Sequence, residues 1–231
     1  MGLAWFAAVR LAELGVFLLD GAERSAGRTL WRVADWALLV MLLVGLLDDR
    51  RGGTDRGFRS HLTSLARLRP TTGALKLIVG GALAVWLALL LGGGIVRVVA
   101  SVILIALATN LVNALDVRPG RALKFSVPFL AVGWIVLAGD PLSILMATAV
   151  GAGLGILPFD LSERGMLGDA GSNPLGMLSG LGLAVILPTW GVVVAATLAL
   201  ALQVAAETVT ISRLVDATPP LRWFDRLGRR D

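Results

Sequence analysis

The chain has 231 residues, of which 56% are hydrophobic and 16% charged, with a mean hydropathy of +0.81 and a formal net charge of +5. That composition excludes an ordinary soluble domain and fits an integral membrane protein. There is no cysteine and one histidine, His61, so disulfides, thiolate metal sites and histidine clusters are excluded, and a metal would have to be held by carboxylates.

Apolar runs between polar breaks predict helices over 1–19, 30–47, 74–91, 95–115, 125–139, 142–157, 174–190 and 191–212. The expected fold class is all-α: a polytopic integral membrane protein of about eight transmembrane helices. One transmembrane domain is expected over 1–231, with 213–231 as a basic cytoplasmic tail. Arg10 and Glu13 interrupt the first run, which argues against a cleavable signal. Arg10 with Glu13, and Arg32 with Asp35, are spaced i, i+3 and read as neutralising pairs within their helices. Gly151 with Gly155, and Gly176 with Gly180, are small-xxx-small pairs that would let helices approach closely.

The connections Gly92-Gly93-Gly94, Asp140-Pro141 and Thr189-Trp190-Gly191 suit tight turns on one side of the membrane, whereas 48–73, 116–124 and 158–173 are long on the other. Most of the 21 Lys and Arg residues lie in those long segments and the tail, so the positive-inside rule puts them, and both termini, in the cytoplasm. The positive charge then reports topology and attraction to anionic head groups. No basic patch interleaved with aromatics points to nucleic acid.

Three polar constellations fall on that cytoplasmic side. The first, Gly45-Leu46-Leu47-Asp48-Asp49-Arg50, sets adjacent carboxylates at a helix end, where one could bind a metal or accept a proton from a substrate phosphate; a solvated helix end is the plain alternative. In the second, Asn110, Asn113 and Asp116 lie close to one helical face, followed by Arg118, Arg121 and Lys124. Interhelical hydrogen bonding would explain the amides alone, but a carboxylate and three basic residues beside them suit a phosphorylated ligand. The third is the polar stretch 163–176, where Gly165, Gly168 and Gly171 leave backbone amides open to a phosphate, Ser172 follows, and Asp169 is a hard oxygen ligand of the kind Mg²⁺ prefers. Lys76, one turn into its helix, is either a snorkelling lysine or an anion ligand.

Asp48-Asp49, the Asn-x-x-Asn-x-x-Asp run and Met166-Leu167-Gly168-Asp169-Ala170-Gly171-Ser172 with its following Leu175-Gly176 occur in the order found in the polyprenyl-phosphate N-acetylhexosamine-1-phosphate transferases, which this chain resembles from residue 45 to about 180. That superfamily, glycosyltransferase family 4, includes the phospho-N-acetylmuramoyl-pentapeptide translocase and the GlcNAc-1-phosphate transferases. The resemblance implies Mg²⁺ as cofactor and polyprenyl phosphate and a nucleotide sugar, of UDP-N-acetylhexosamine type, as substrates. It implies Asp169 as the metal ligand, Asp48 and Asp49 as the residues handling the acceptor phosphate, and Asn113 with Asp116 at the nucleotide-sugar end. It further implies a bacterial plasma membrane and a role in cell-wall or surface-polymer synthesis, with a homodimer or a helper subunit as further partner.

The sequence departs from the family pattern at named places. The third motif continues as Asp116-Val117-Arg118-Pro119-Gly120, with Pro119 in place of a second carboxylate; Met166 stands where an aromatic usually precedes the Gly-Asp pair; and the late histidine cluster is absent. A first helix and its following cytoplasmic loop are also expected to be missing. Because these losses gather at the nucleotide end, a catalytically silent relative that binds or scaffolds polyprenyl-phosphate intermediates is the alternative to an enzyme. In the tail, Thr218 precedes Pro219, and Leu221, Trp223, Phe224 and Leu227 alternate with Arg222, Arg226, Arg229 and Arg230, which predicts a short interfacial helix, with a frayed tail that merely obeys the positive-inside rule as the plain alternative.

Overall fold

A computed structural model of the chain describes residues 1–20, 28–51, 72–208 and 211–229. His61, most of the 48–73 connection, and Arg230 lie outside those residues. The described part is helical throughout: α1 (Gly2–Asp20), α2 (Arg28–Arg51), α3 (Thr72–Leu91), α4 (Ile95–Leu115), α5 (Arg121–Val136), α6 (Pro141–Leu161), α7 (Asp169–Ile186), α8 (Thr189–Thr208) and two short C-terminal helices, α9 (Ile211–Ala217) and α10 (Pro219–Arg226). The long helices α1 to α8 correspond one for one to the predicted apolar runs.

Five of them, α2, α3, α4, α6 and α8, are long and apolar enough to cross a membrane on length and composition alone. Their outer faces carry exposed Ile78, Val85, Leu89, Ile95, Val99, Leu198 and Leu202, apolar surface that suits lipid and not water. The chain is therefore a multi-pass membrane protein. α7 has a different logic. Every residue from Ala170 to Gly182 is buried, so the helix is sheathed by protein, packing on α4, α2, α5 and α1, and has no need of an apolar exterior. Its glycines set the spacing: a Cβ at Gly176 would meet the backbone of Ala108 and Thr109, and one at Gly180 the backbone of Ile105, so α7 and α4 touch backbone to backbone. Gly151 and Gly155 face nothing within 4 Å among the described residues, and that pair makes no such contact.

The boundaries differ from expectation where proline and glycine act together. α7 begins at Asp169, ahead of the expected start at 174, because Gly168 (φ +65°, ψ 179°) turns the chain and the acidic side chain at the first helical position favours the positive end of the helix dipole. Pro174 thus lies inside the helix and does not open it. α5 begins at Arg121, because Gly120 takes the left-handed conformation (φ 72°) that starts it. The tight turn before α8 is at Leu187 and Pro188, and Arg97 holds it by donating to Ala184 O (2.8 Å) and Leu187 O (3.0 Å).

The charged residues of α1 and α2 pair between helices as well as within one. Arg10 joins Glu13 of its own helix at 2.9 Å and also Asp35 of α2, so Asp35 serves the α1–α2 contact in addition to any pairing along its own helix. Trp5 donates from Nε1 to Ala149 O at 3.2 Å, fastening α1 to α6. With helices alternating in direction, the end of α2, the starts of α3, α5 and α7, and the ends of α4, α6 and α8 meet at one end of the bundle.

Candidate active site

Asp48 and Asp49 end α2 side by side, and the helix turns them to different tasks because adjacent residues project about 100° apart. Asp49 reaches the first turn of α7, where its Oδ1 accepts from Asp169 N at 3.0 Å and its Oδ2 from Ala170 N at 3.1 Å. It acts as an N-cap supplied by another helix. The approach is close enough that a Cβ on Gly168 would fall 2.8 Å from Asp49 Oδ2. Asp48 instead faces Lys76 of α3, whose Nζ lies 3.4 Å from Asp48 Oδ2 and 2.5 Å from Asp169 Oδ2. The lysine is an ion-pair partner of two carboxylates, at the end of α2 and the start of α7.

Asp169 is held from both sides. Lys76 takes Oδ2, and Asn113 donates from Nδ2 to Oδ1 at 2.7 Å and to Asn173 Oδ1 at 3.0 Å. Asp116, three residues on from Asn113, accepts from Gly168 N at 2.7 Å through Oδ2, while its Oδ1 is buried without a partner among the described residues. Burial, and next the nearby Asp160 carboxylate, push Asp116 up to about 8, against the pull of the Gly168 hydrogen bond. The three constellations therefore meet around the first turn of α7.

Other candidates have partners that the sequence did not indicate. Asn110 turns away from Asp169 and donates to Gln203 Oε1 of α8 at 2.8 Å, the interhelical bond weighed as its plain reading. The amides of Gly168, Asp169 and Ala170 are taken by Asp116 and Asp49, and those of Gly171 and Ser172 turn back to Gly168 O, so in this arrangement the Gly168 and Gly171 amides expected to face a phosphate are occupied by protein acceptors. Gly171 lies against Gly2 and Leu167, and Ser172, fully buried, donates from Oγ to Gly168 O at 2.8 Å. Arg118 pairs with Asp216 of α9 at 3.4 Å, and Arg121 with Asp225 of α10 through Nε (2.7 Å) and Nη2 (3.1 Å). Burial pushes the Asp225 carboxyl up, but Arg121, with Arg229 and Lys124, outweighs it and holds the group below its ordinary value.

Asn173 is the residue of the Asp169 cluster that sequence reasoning left out. Its spacing, one helical turn after Asp169, was a usable signal only once the helix was known to start at 169. Beside the cluster, Lys76, Thr109, Asn110 and Asn173 form the polar part of a cleft of about 280 Å³ whose remainder, including Ile78, Gly80, Gly81 and Leu107, is apolar.

The family model described as glycosyl transferase family 4 matches residues 31–188, a range that contains Asp48, Lys76, Asn113, Asp116 and Asp169. No curated protein matches the chain.

Proposed function

Because the chain belongs to glycosyl transferase family 4, a family of polyprenyl-phosphate sugar-phosphate transferases, we propose that it moves a sugar 1-phosphate from a UDP-N-acetylhexosamine-type donor to a polyprenyl phosphate. An oxygen of the lipid phosphate attacks the sugar-proximal phosphorus, the bond to the nucleoside monophosphate breaks, and a diphosphate-linked sugar lipid remains. The setting we propose is the cytoplasmic face of a bacterial plasma membrane, with the product used for cell-wall or surface polymers.

The observation that carries this reading is the Lys76 ammonium standing between Asp48 and Asp169 beside an apolar cleft. Such a cleft suits an isoprenoid tail, with the head group at Lys76. The lysine can exchange a carboxylate partner for a phosphate oxygen, since both are anionic acceptors. Asn113 orients Asp169, and Asp49 and Asp116 fix the backbone that carries it. Phosphoryl transfer asks chiefly for positioning and charge stabilisation, which such a set provides.

Mg²⁺ fits these residues on one structural ground: Asp48 and Asp169 each aim an oxygen at a single cationic atom, and Mg²⁺ is commonly bound through one or two carboxylates together with substrate phosphates. Asp169, with Asp48, would hold it. Bound there, the ion would offset negative charge on the diphosphate.

Purified protein given undecaprenyl phosphate, Mg²⁺ and a panel of nucleotide sugars is expected to release nucleoside monophosphate with at least one donor. Lipid binding without release from any donor would replace this reading with the scaffold alternative.

A further inference from the structure

The C-terminal helix α10 is fastened to the bundle, among the described residues, through Asp225 and its C-terminal carbonyls. Asp225, 5% exposed, enters the bidentate pair with Arg121 and also receives Arg229 Nη2 at 3.1 Å, while Arg229 Nε donates to Pro119 O at 3.1 Å. Lys124 of α5 donates to the carbonyls of Phe224 (3.1 Å), Asp225 (2.5 Å) and Leu227 (3.1 Å), so a cation from another helix caps the negative end of α10. Every one of these anchors lies in the first turn of α5 or the segment just before it.

The rest of α10 carries exposed apolar side chains: Leu221 at 45%, Trp223 at 67% and Phe224 at 42%, its ring centroid 5.9 Å from Lys124 Nζ, followed by Leu227 at 49%. At helical spacing Trp223 and Phe224, with Leu227 just beyond the helix end, share one side, with Leu221 at its edge towards Asp225 and exposed Arg222 and Arg226 along the opposite border. Water is a poor match for that side. Two features name what covers it. The helix is anchored where α5 enters the bundle, and α5 continues with exposed Phe125 and Phe129, whose ring centroids lie 5.1 Å apart, so the element that anchors α10 carries exposed apolar surface of its own. The bordering arginines complement an anionic head-group layer.

We propose that α10 is an interfacial helix that binds the anionic surface of the bilayer its own chain spans, with Asp225 as the pin that ties it to Arg121. The contact has a route to the site, because Arg229 and Arg121 hold the segment Pro119–Arg121, which follows Asp116, the acceptor for Gly168 N. Binding through that surface depends neither on the sugar donor nor on catalysis.

The chain has no native cysteine, so Leu227→Cys gives a single labelling position. A nitroxide there, in lipid nanodiscs holding the full chain, is expected to be accessible to oxygen and shielded from an aqueous nickel reagent, with shielding at least twofold greater in discs with one-third anionic lipid than in purely zwitterionic ones. Adding Arg222→Gln and Arg226→Gln is expected to abolish that lipid dependence. Adding Asp225→Ala to the labelled chain is expected to sharpen the spectrum by freeing the helix from α5 while the nitroxide stays shielded. Three results would overturn the proposal: full access to nickel in anionic discs, shielding indifferent to the anionic fraction, or shielding that persists in detergent together with a doubled protein mass, which would make the occupant a second copy of the chain.

Discussion

Lys76 Nζ stands 2.5 Å from Asp169 Oδ2 and 3.4 Å from Asp48 Oδ2, so one ammonium joins the starts of α3 and α7 to the end of α2. The lysine is largely shielded from solvent, at 13% side-chain exposure, which strengthens its pairing with two anions and makes the removal of either costly. Asp169→Asn keeps the side-chain volume and an acceptor for Asn113 but removes the charge that faces Lys76. Turnover is expected to fall by about 10²-fold or more, as when an electrostatic stabiliser is lost, while the protein elutes from size exclusion in detergent as the parent does. An unchanged rate at saturating Mg²⁺ would remove Asp169 from the reaction.

Gly45 bears on the same geometry from the neighbouring helix. A Cβ there would run into the carbonyl of Asp169 and the amide of Ala170, both backbone and neither able to yield as a side-chain tip can. Gly45→Ala must therefore push α2 off the first turn of α7 and carry Asp48 and Asp49 with it. A displacement of about 1 Å near reacting groups can cost roughly 10²-fold in rate, so kcat should drop by more than tenfold. Gly151→Ala, with open space among the described residues around its Cβ and no part in the cleft, is the control and should retain activity. Equal rates for the two variants would show that the α2–α7 contact does not set the site.

The long helices were legible because apolar length is written locally, and α3 and α4 fall within two residues of their expected bounds. The beginning of α7 was not, because Pro174 invites a helix start and only the incoming Asp49 and Asp116 carboxylates show that the amides before it are already capped. That Asp48, Asn113 and Asp169 share one end of the bundle followed from alternating topology; that they meet at the first turn of α7 did not. That Asp48 and Asp49 do different things required the position of α7. The partners of Asn110, Arg118 and Arg121 are Gln203, Asp216 and Asp225, each more than 90 residues away, and no local pattern encodes contacts at that distance.

Asp116 gives the stability of the fold a pH signature. Its folded value of about 8 lies above its ordinary 3.8, so between those limits the native chain holds a proton that the unfolded chain has released. The resulting stabilisation is complete below pH 3.8 and is lost as the pH rises through about 8. In metal-free detergent the melting temperature is expected to fall with rising pH across that window. Asp116→Asn keeps an acceptor for Gly168 N and cannot ionise, so its curve should be flatter, with the two proteins differing least at the acidic end. A variant whose slope equals that of the parent would assign the dependence to another group.

The end of the bundle that carries the site also carries Arg118, Arg121, Lys124 and Arg164, and positive charge beside spanning helices is retained in the cytoplasm. The opposite end holds the short turns beside Ile95 and Trp190, which are 76% and 72% exposed. Reporter positions must be reachable for the result to mean anything: Ser126 and Ser172 are fully buried and would stay silent on either side, whereas Val117 is 60% exposed and Arg164 is also exposed. In intact cells a membrane-impermeant maleimide is expected to modify Ile95→Cys and Trp190→Cys and to spare Val117→Cys and Arg164→Cys. After permeabilisation the latter two should react as fast as the former. Strong labelling of Val117→Cys or Arg164→Cys in intact cells would invert the topology and place the Lys76 cluster outside, away from cytoplasmic nucleotide sugars.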